Sequence, residues 1–213
     1  MSRGRLIRRL VVAVVVVGVL AAMVLTTKLV TPGTTPAPGG SAQGEDPKAW
    51  AQANYDAKVV PAIRSKAHPW ADLAAAIQAD ANAAGQQYGT KAEGANSYSY
   101  ATTITGTLGQ GPLGTMTITA PGTPSGVTVS VATGPAITTA SLRDASGLLD
   151  FGMFQNQTAF QQASTELNNM VKREVLANFD AAGAVGKSYT IVGAFTWTGG
   201  PVVITPISIE AAA

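Results

Sequence analysis

Arg143 and Asp144 are adjacent charges set between Leu142 and Ala145, in a sequence where only 12% of residues are charged. Such a pair must be solvated, mutually neutralised or used for recognition. Structural pairing is the simplest account. The functional reading is that Arg143, with Asn156 and Gln157 nearby, lines a cleft that recognises a small polar ligand or a partner surface by directed hydrogen bonds. Arg143, Asp144, Asn156 and Gln157 are therefore the candidate binding residues.

Other chemistry finds little support. His68 is the only histidine, so a histidine metal cluster is impossible, and a Ser-His-Asp arrangement would need this one residue without a G-x-S-x-G elbow. Its place between Ala67 and Pro69 suits the start of a helix. Gly109, Gly111 and Gly114 spell G-x-G-x-x-G, but Pro112 interrupts the pattern and a strand-like alternation comes after it, so a glycine-rich hairpin is expected rather than a phosphate cradle. Asp80, Asn82 and Gly85 loosely match a calcium loop whose closing glutamate is replaced by Lys91. Tyr98 and Tyr100 would share one strand face, as a base- or sugar-stacking platform or as ordinary packing. Asn156-Gln157-Thr158 fits a glycosylation acceptor, and equally a helix cap. No catalytic residue set, metal site or cofactor is expected, and the chain is not expected to be an enzyme.

Charge and hydropathy locate the chain. Arg3, Arg5, Arg8, Arg9 and Lys28 carry five of the fourteen basic residues, and the sequence beyond Lys28 has nine basic and twelve acidic side chains, a net charge of −3. The basic pI of about 9.0 therefore belongs to the N-terminal segment, and nucleic acid is not an expected partner of the remainder. After the arginine cluster, Leu10 to Leu25 is almost wholly apolar. Sixteen to eighteen helical residues reach about 24 to 27 Å, slightly short of a ~30 Å hydrocarbon core, so length allows both a signal peptide and a membrane span. The missing small-x-small cleavage site around Met23 to Thr26 favours an uncleaved anchor over residues 10–27. The positive-inside rule then places residues 1–9 in the cytoplasm and the chain beyond the anchor outside it. Residues 28–44, rich in Pro, Gly, Thr and Ser, read as a flexible linker. Residues 45–213 form the expected extracytoplasmic domain. With no cysteine, disulfides and a lipidated cysteine are excluded.

The domain that must position Arg143 reads as α+β. Asp46 is a candidate N-cap with Pro47 in the first helical turn, and Pro61 should kink or end that helix. A second helix from Pro69 places Trp70, Leu73, Ile77 and Ala81 on one stripe, with Gly85 near its stop. Together they suggest an N-terminal helical hairpin. From Ser97 the period changes to two, giving three strands before residue 133. A long helix spans about Thr158 to Phe179, and two more strands occupy residues 188–196 and 202–209. Three strands, a helix and two strands is the order of an OB-type barrel, a five-stranded antiparallel sheet with a helix between strands 3 and 4, although another α+β sandwich gives the same string.

The run from Gly134-Pro135 to Asn168 combines a Leu-Arg-Asp-Ala step, spaced phenylalanines and an Asn-Gln pair. With Tyr88-Gly89, Gly186-Lys187, Gly193-Ala194-Phe195 and Thr205-Pro206, it resembles the bacterial family called domain of unknown function 2291, over most of residues 46–210. The resemblance implies a periplasmic lipoprotein, often encoded beside sugar ABC transporters. Two features depart from the family: the lipid-attachment cysteine is missing, and Thr138-Thr139-Ala140-Ser141 replaces an expected glycine. The sequence thus supports a membrane-tethered extracytoplasmic binding or accessory protein, with sugar ABC transporter components or a small polar ligand as its partner. A structural envelope protein acting through its helical hairpin is the alternative, and a hydrolase built on His68 a third.

Overall fold

A computed structural model describes residues 44–212, which lie within one compact unit, Gly39–Ala213. The expected anchor at residues 10–27 and the linker up to residue 43 fall outside the described residues. Among the described residues, no helix is long and apolar enough to cross a membrane.

The first helical stretch starts where its capping residues stand. Asp46 Oδ1 accepts the Ala49 amide at 2.7 Å and Pro47 opens α1, Pro47–Asn54. A π-helical turn, Tyr55–Val59, leads into α2, Val60–Lys66. Pro61 therefore does not end the helix. A proline would collide with the carbonyl four residues earlier in a regular α-helix, and the wider turn immediately before it relieves that crowding. His68–Pro69 form a two-residue strand, β1, ahead of α3, Trp70–Ala79. The second helix also departs from expectation. It breaks at Asp80, whose carboxylate caps the Asn82 and Ala83 amides of α4, Ala81–Tyr88. Gly85 lies inside α4 instead of at its stop, because a Cβ there would collide with the Tyr98 ring.

Strands β2 (Ser99–Gln110), β3 (Thr115–Thr119) and β4 (Val129–Ala132) come next. They are followed by a short helix α5 (Ser141–Ser146), a 3-10 turn (Phe151–Met153) and the long helix α6 (Gln157–Val171), which ends in a second π-helical turn, Lys172–Leu176. After α7 (Ala181–Ala184), strands β5 (Ser188–Thr196) and β6 (Val202–Ala211) complete the chain. β2 pairs with β5 along its first nine residues and with β3 along its last four. Antiparallel pairs β3–β4 and β5–β6 extend the ring, and a parallel β4–β6 pair shuts it. The result is a closed five-stranded barrel of OB type with its long helix between the third and fourth barrel strands, as the element order suggested. The sheet is not wholly antiparallel, because a Greek-key ring of five strands closes here through β4–β6, and β1 adds a parallel bridge to Thr102 and Thr103. The G-x-G-x-x-G segment is the β2–β3 hairpin. Leu113 (φ 53°) and Gly114 (φ 75°) occupy its centre, both in the positive-φ region a two-residue I′ turn requires.

Alternation along the strands separates two apolar cores. Inside the barrel, Tyr100, Ile104, Leu108, Ile191, Phe195 and Ile204 pack together, and α3 plugs one end with Trp70, Leu73 and Ile77. On the outer face, small residues Ala101, Ala132 and Ala194 let the helices approach. There Trp50, Tyr55, Val59 and Ile63 meet Phe160, Leu167 and Val171 of α6. The expected helical hairpin is thus not a packed pair, since each stretch finds a larger apolar surface than the other could offer: α1–α2 bury against α6 and the sheet, α3 against the barrel interior.

Candidate functional site

Arg143 projects from α5, a helix of one and a half turns that depends on its surroundings for stability. Leu142 and Ala145 bury its apolar side at 1% exposure each. Its start is tied down by hydroxyls from the Thr-Ser run that replaces the expected glycine. Thr139 Oγ1 lies 2.6 Å from Thr205 Oγ1, and Ser141 Oγ donates to Thr205 Oγ1 at 3.2 Å. Asn168 of α6 donates from Nδ2 to the carbonyls of Ile137 and Thr139 at 3.2 and 2.8 Å. At the other end, Lys66 Nζ donates to the Ser146 carbonyl at 2.7 Å, and Gly147 (φ 67°) turns the chain away. A cation on the last carbonyls of a helix also opposes the negative end of its dipole.

Arg143 is 5% exposed, and its guanidinium is held on three sides. Nε donates to Asp144 Oδ1 at 2.7 Å, and Nη1 donates to the Phe160 carbonyl and to Gln161 Oε1, both at 3.3 Å. Its carbon sits 3.9 Å from the centre of the Phe160 ring, a cation–π contact in a partly desolvated place. Among the described residues, no protein group accepts a hydrogen bond from Nη2. Arg143 borders a cleft of about 380 Å³, which is also lined by Gln157, Phe160 and Gln161 from the first turns of α6, Phe151 from the 3-10 turn, and the loop Ala92–Ala95 carrying Glu93. Phe151 meets Phe160 edge to face at 5.8 Å and leaves 41% of its surface exposed. The cleft thus combines one anchored cation, two side-chain amides, one carboxylate and an aromatic surface. That set is suited to orienting a polar ligand.

The four sequence candidates separate. Arg143 and Gln157 line one cleft, and Asp144 fixes the arginine from behind. Asn156 is elsewhere: its Oδ1 accepts the Ala159 amide at 2.9 Å as the N-cap of α6, and it borders a different, polar cleft with Glu45 and Asp46. Phe160, Gln161, Glu93 and Lys66 were not anticipated. Phe160 and Gln161 carried a signal, three and four residues after Gln157 and so on the same helical face.

The remaining sequence candidates make packing contacts. Tyr100 stacks on Phe195 at 5.3 Å inside the barrel, and its phenol is pushed above its usual pKa by burial, with Tyr98 adding to the shift. Tyr98 covers Gly85 and receives Lys91 Nζ 5.3 Å above its ring. The His68 ring packs edge-on against Tyr88 at 4.8 Å, and its carbonyl accepts the Thr102 hydroxyl. A second, smaller pocket of about 150 Å³ between Trp70, Ile77, Val127 and Trp197 is almost entirely apolar.

Similarity to known proteins agrees with the architecture. The family model described as predicted periplasmic lipoprotein, domain of unknown function 2291, matches residues 12–210. The chain belongs to this family. As a member of the family it is an extracytoplasmic, membrane-associated protein, although it contains no cysteine to carry a lipid. A crystal structure of an OB-fold protein from Thermotoga maritima MSB8 superposes with a TM-score of 0.64 at 18% identity, covering 80% of this chain and 100% of that one. At that identity the likeness shows the fold alone. No curated protein matches the sequence significantly.

Proposed function

We propose that this family member is a binding protein without catalytic activity, tethered to the membrane by a single uncleaved helix at residues 10–27, that takes a small polar ligand in the Arg143 cleft. The observation that carries the reading is the state of Arg143: a cation withdrawn from water, immobilised by three acceptors and an aromatic face, and still open on one edge toward a cleft. Holding a guanidinium so firmly has an entropic cost, and its benefit is pre-organisation for a ligand. The uninterrupted apolar run after four arginines supports the anchor, which supplies the membrane attachment that a lipidated cysteine would otherwise give. Sugar ABC transporter components, which the resemblance implies, are the proposed partners. The alternative of an envelope protein acting through a helical hairpin loses the element it relied on, because both helical stretches bury their apolar faces within this chain.

A thermal-shift screen of the full chain in detergent, against sugars, nucleotides and metal ions, tests the reading. A ligand that raises Tm in the wild type and not in Gln157→Ala supports it. No shift across the panel, together with envelope proteins captured from membranes, overturns it in favour of a protein partner.

A further inference from the structure

The charges and hydrogen-bonding capacity around the cleft also select a ligand class. We propose that the Arg143 cleft recognises an uncharged, polyhydroxylated molecule, with Glu93 as the principal acceptor of its hydroxyl protons and Phe151 as the surface for its carbon-bound hydrogens. This rests on the assignment of the cleft as a binding site and adds the identity of what fills it.

The charges at the cleft favour an uncharged ligand. Arg143 is already opposed by Asp144 at 2.7 Å, and the other charged residue lining the cleft is Glu93, a carboxylate. An anion entering there meets a cation whose field is largely cancelled and a like charge on the facing loop. A cation finds Glu93, but as a donor only it leaves the N–H groups of Arg143 and Gln161 without acceptors. Neither gains what an uncharged ligand keeps, namely hydrogen bonds to both charged groups without a Coulomb penalty.

Donor and acceptor capacity favours hydroxyl groups. Arg143 Nη2 can only donate and an ionised Glu93 can only accept. The Gln161 amide spends its oxygen on Nη1, which leaves its NH₂ group as a donor, and Gln157 offers both functions. A ligand facing this set must accept from two or three groups and donate to one, and neighbouring hydroxyls do both. The apolar remainder agrees: Phe151 exposes 41% of its surface at the same cleft, and an aromatic ring beside planar polar side chains suits a molecule with one hydroxylated edge and one C–H face.

The test uses the full chain in detergent micelles, titrated by calorimetry with D-glucose, D-xylose and myo-inositol as neutral probes and with D-glucuronate and inorganic phosphate as anionic ones. Glu93 is on the surface, so Glu93→Ala should fold. Binding of at least one neutral probe is expected, weakened about tenfold or more by Glu93→Ala and by Gln157→Ala. If an anion binds more tightly than every neutral probe and Glu93→Ala strengthens it, the ligand class is overturned while the cleft stands as the site. If no probe of either class binds, or binding ignores both substitutions, the cleft assignment itself falls.

Discussion

The two cores of this domain both bury extensive apolar surface and treat polar groups differently. The barrel interior is filled by Tyr100, Ile104, Leu108, Ile191, Phe195 and Ile204 with very little polar content. The helical layer on its outer face encloses Arg143, Ser141, Ser146, Asn168 and Thr205, each 5% exposed or less, and connects them by hydrogen bonds to one another and to backbone carbonyls. Asn168 Oδ1 excepted, these buried polar groups find partners, and they impose directionality that apolar packing lacks. The barrel is an apolar scaffold, and the layer against it carries the polar groups that border the proposed binding cleft. Gly193 is part of that junction: a Cβ there would collide with the Thr205 carbonyl oxygen.

The contrast can be broken at either core. Phe195→Ala removes the ring stacked on Tyr100 and touching Trp70 edge-on, and should cost about 3–5 kcal/mol through lost burial and the cavity left behind. Urea denaturation would measure it, and folded protein should retain any ligand affinity. Asp144→Ala strands the Arg143 charge in a nearly dry place. The expected loss is about 2–4 kcal/mol, with ligand affinity falling as well. Should Phe195→Ala abolish binding while Asp144→Ala spares it, the roles of the two cores are reversed.

Smaller effects sharpen the comparison. Asn156→Ala deletes the α6 cap and should cost about 1 kcal/mol in thermal stability with little change in binding, because Asn156 lies outside the Arg143 cleft. The buried phenols give a pH signature. Tyr55 and Tyr100 lack hydrogen-bond partners among the described residues. Burial raises the pKa of both, with Asp56 and Glu174 adding to the effect at Tyr55. A phenol with an ordinary pKa of 10.0 ionises in the unfolded chain before it does so in the fold. Stability from this source is therefore complete below about pH 10 and is lost as pH rises beyond it. Tyr55→Phe should be neutral or stabilising by up to about 1 kcal/mol at pH 7 and should flatten the alkaline decline in Tm. A variant that unfolds with an unchanged alkaline limb would show that another group controls it.

Much of this architecture was legible in local patterns. The strand at residues 188–196 and the α6 periodicity are local signals, as is the Asp46-Pro47 start, and each matched. What escaped depended on contacts distant in sequence. The parallel closure of β4 on β6 joins residues more than seventy positions apart, and no periodicity encodes it. The helical stretches looked like a hairpin because each has an apolar stripe, but a stripe does not name its partner. Arg143 stood out with Asp144 as a charged pair between apolar neighbours. Its surroundings did not: Phe160 and Gln161 lie on another helix, Glu93 on a loop some fifty residues upstream, and Lys66 reaches the end of α5 across eighty positions.

The most direct test of the central claim is ligand-induced thermal stabilisation of the full chain, wild type against Arg143→Lys, using whichever probe binds the wild type. Lysine keeps the charge but cannot satisfy Asp144, Phe160 and Gln161 while still presenting a donor to the cleft. Arg143→Lys is expected to fold with a lowered Tm and to lose the ligand-induced rise. A folded Arg143→Lys protein whose Tm rises as much as the wild type's would contradict it.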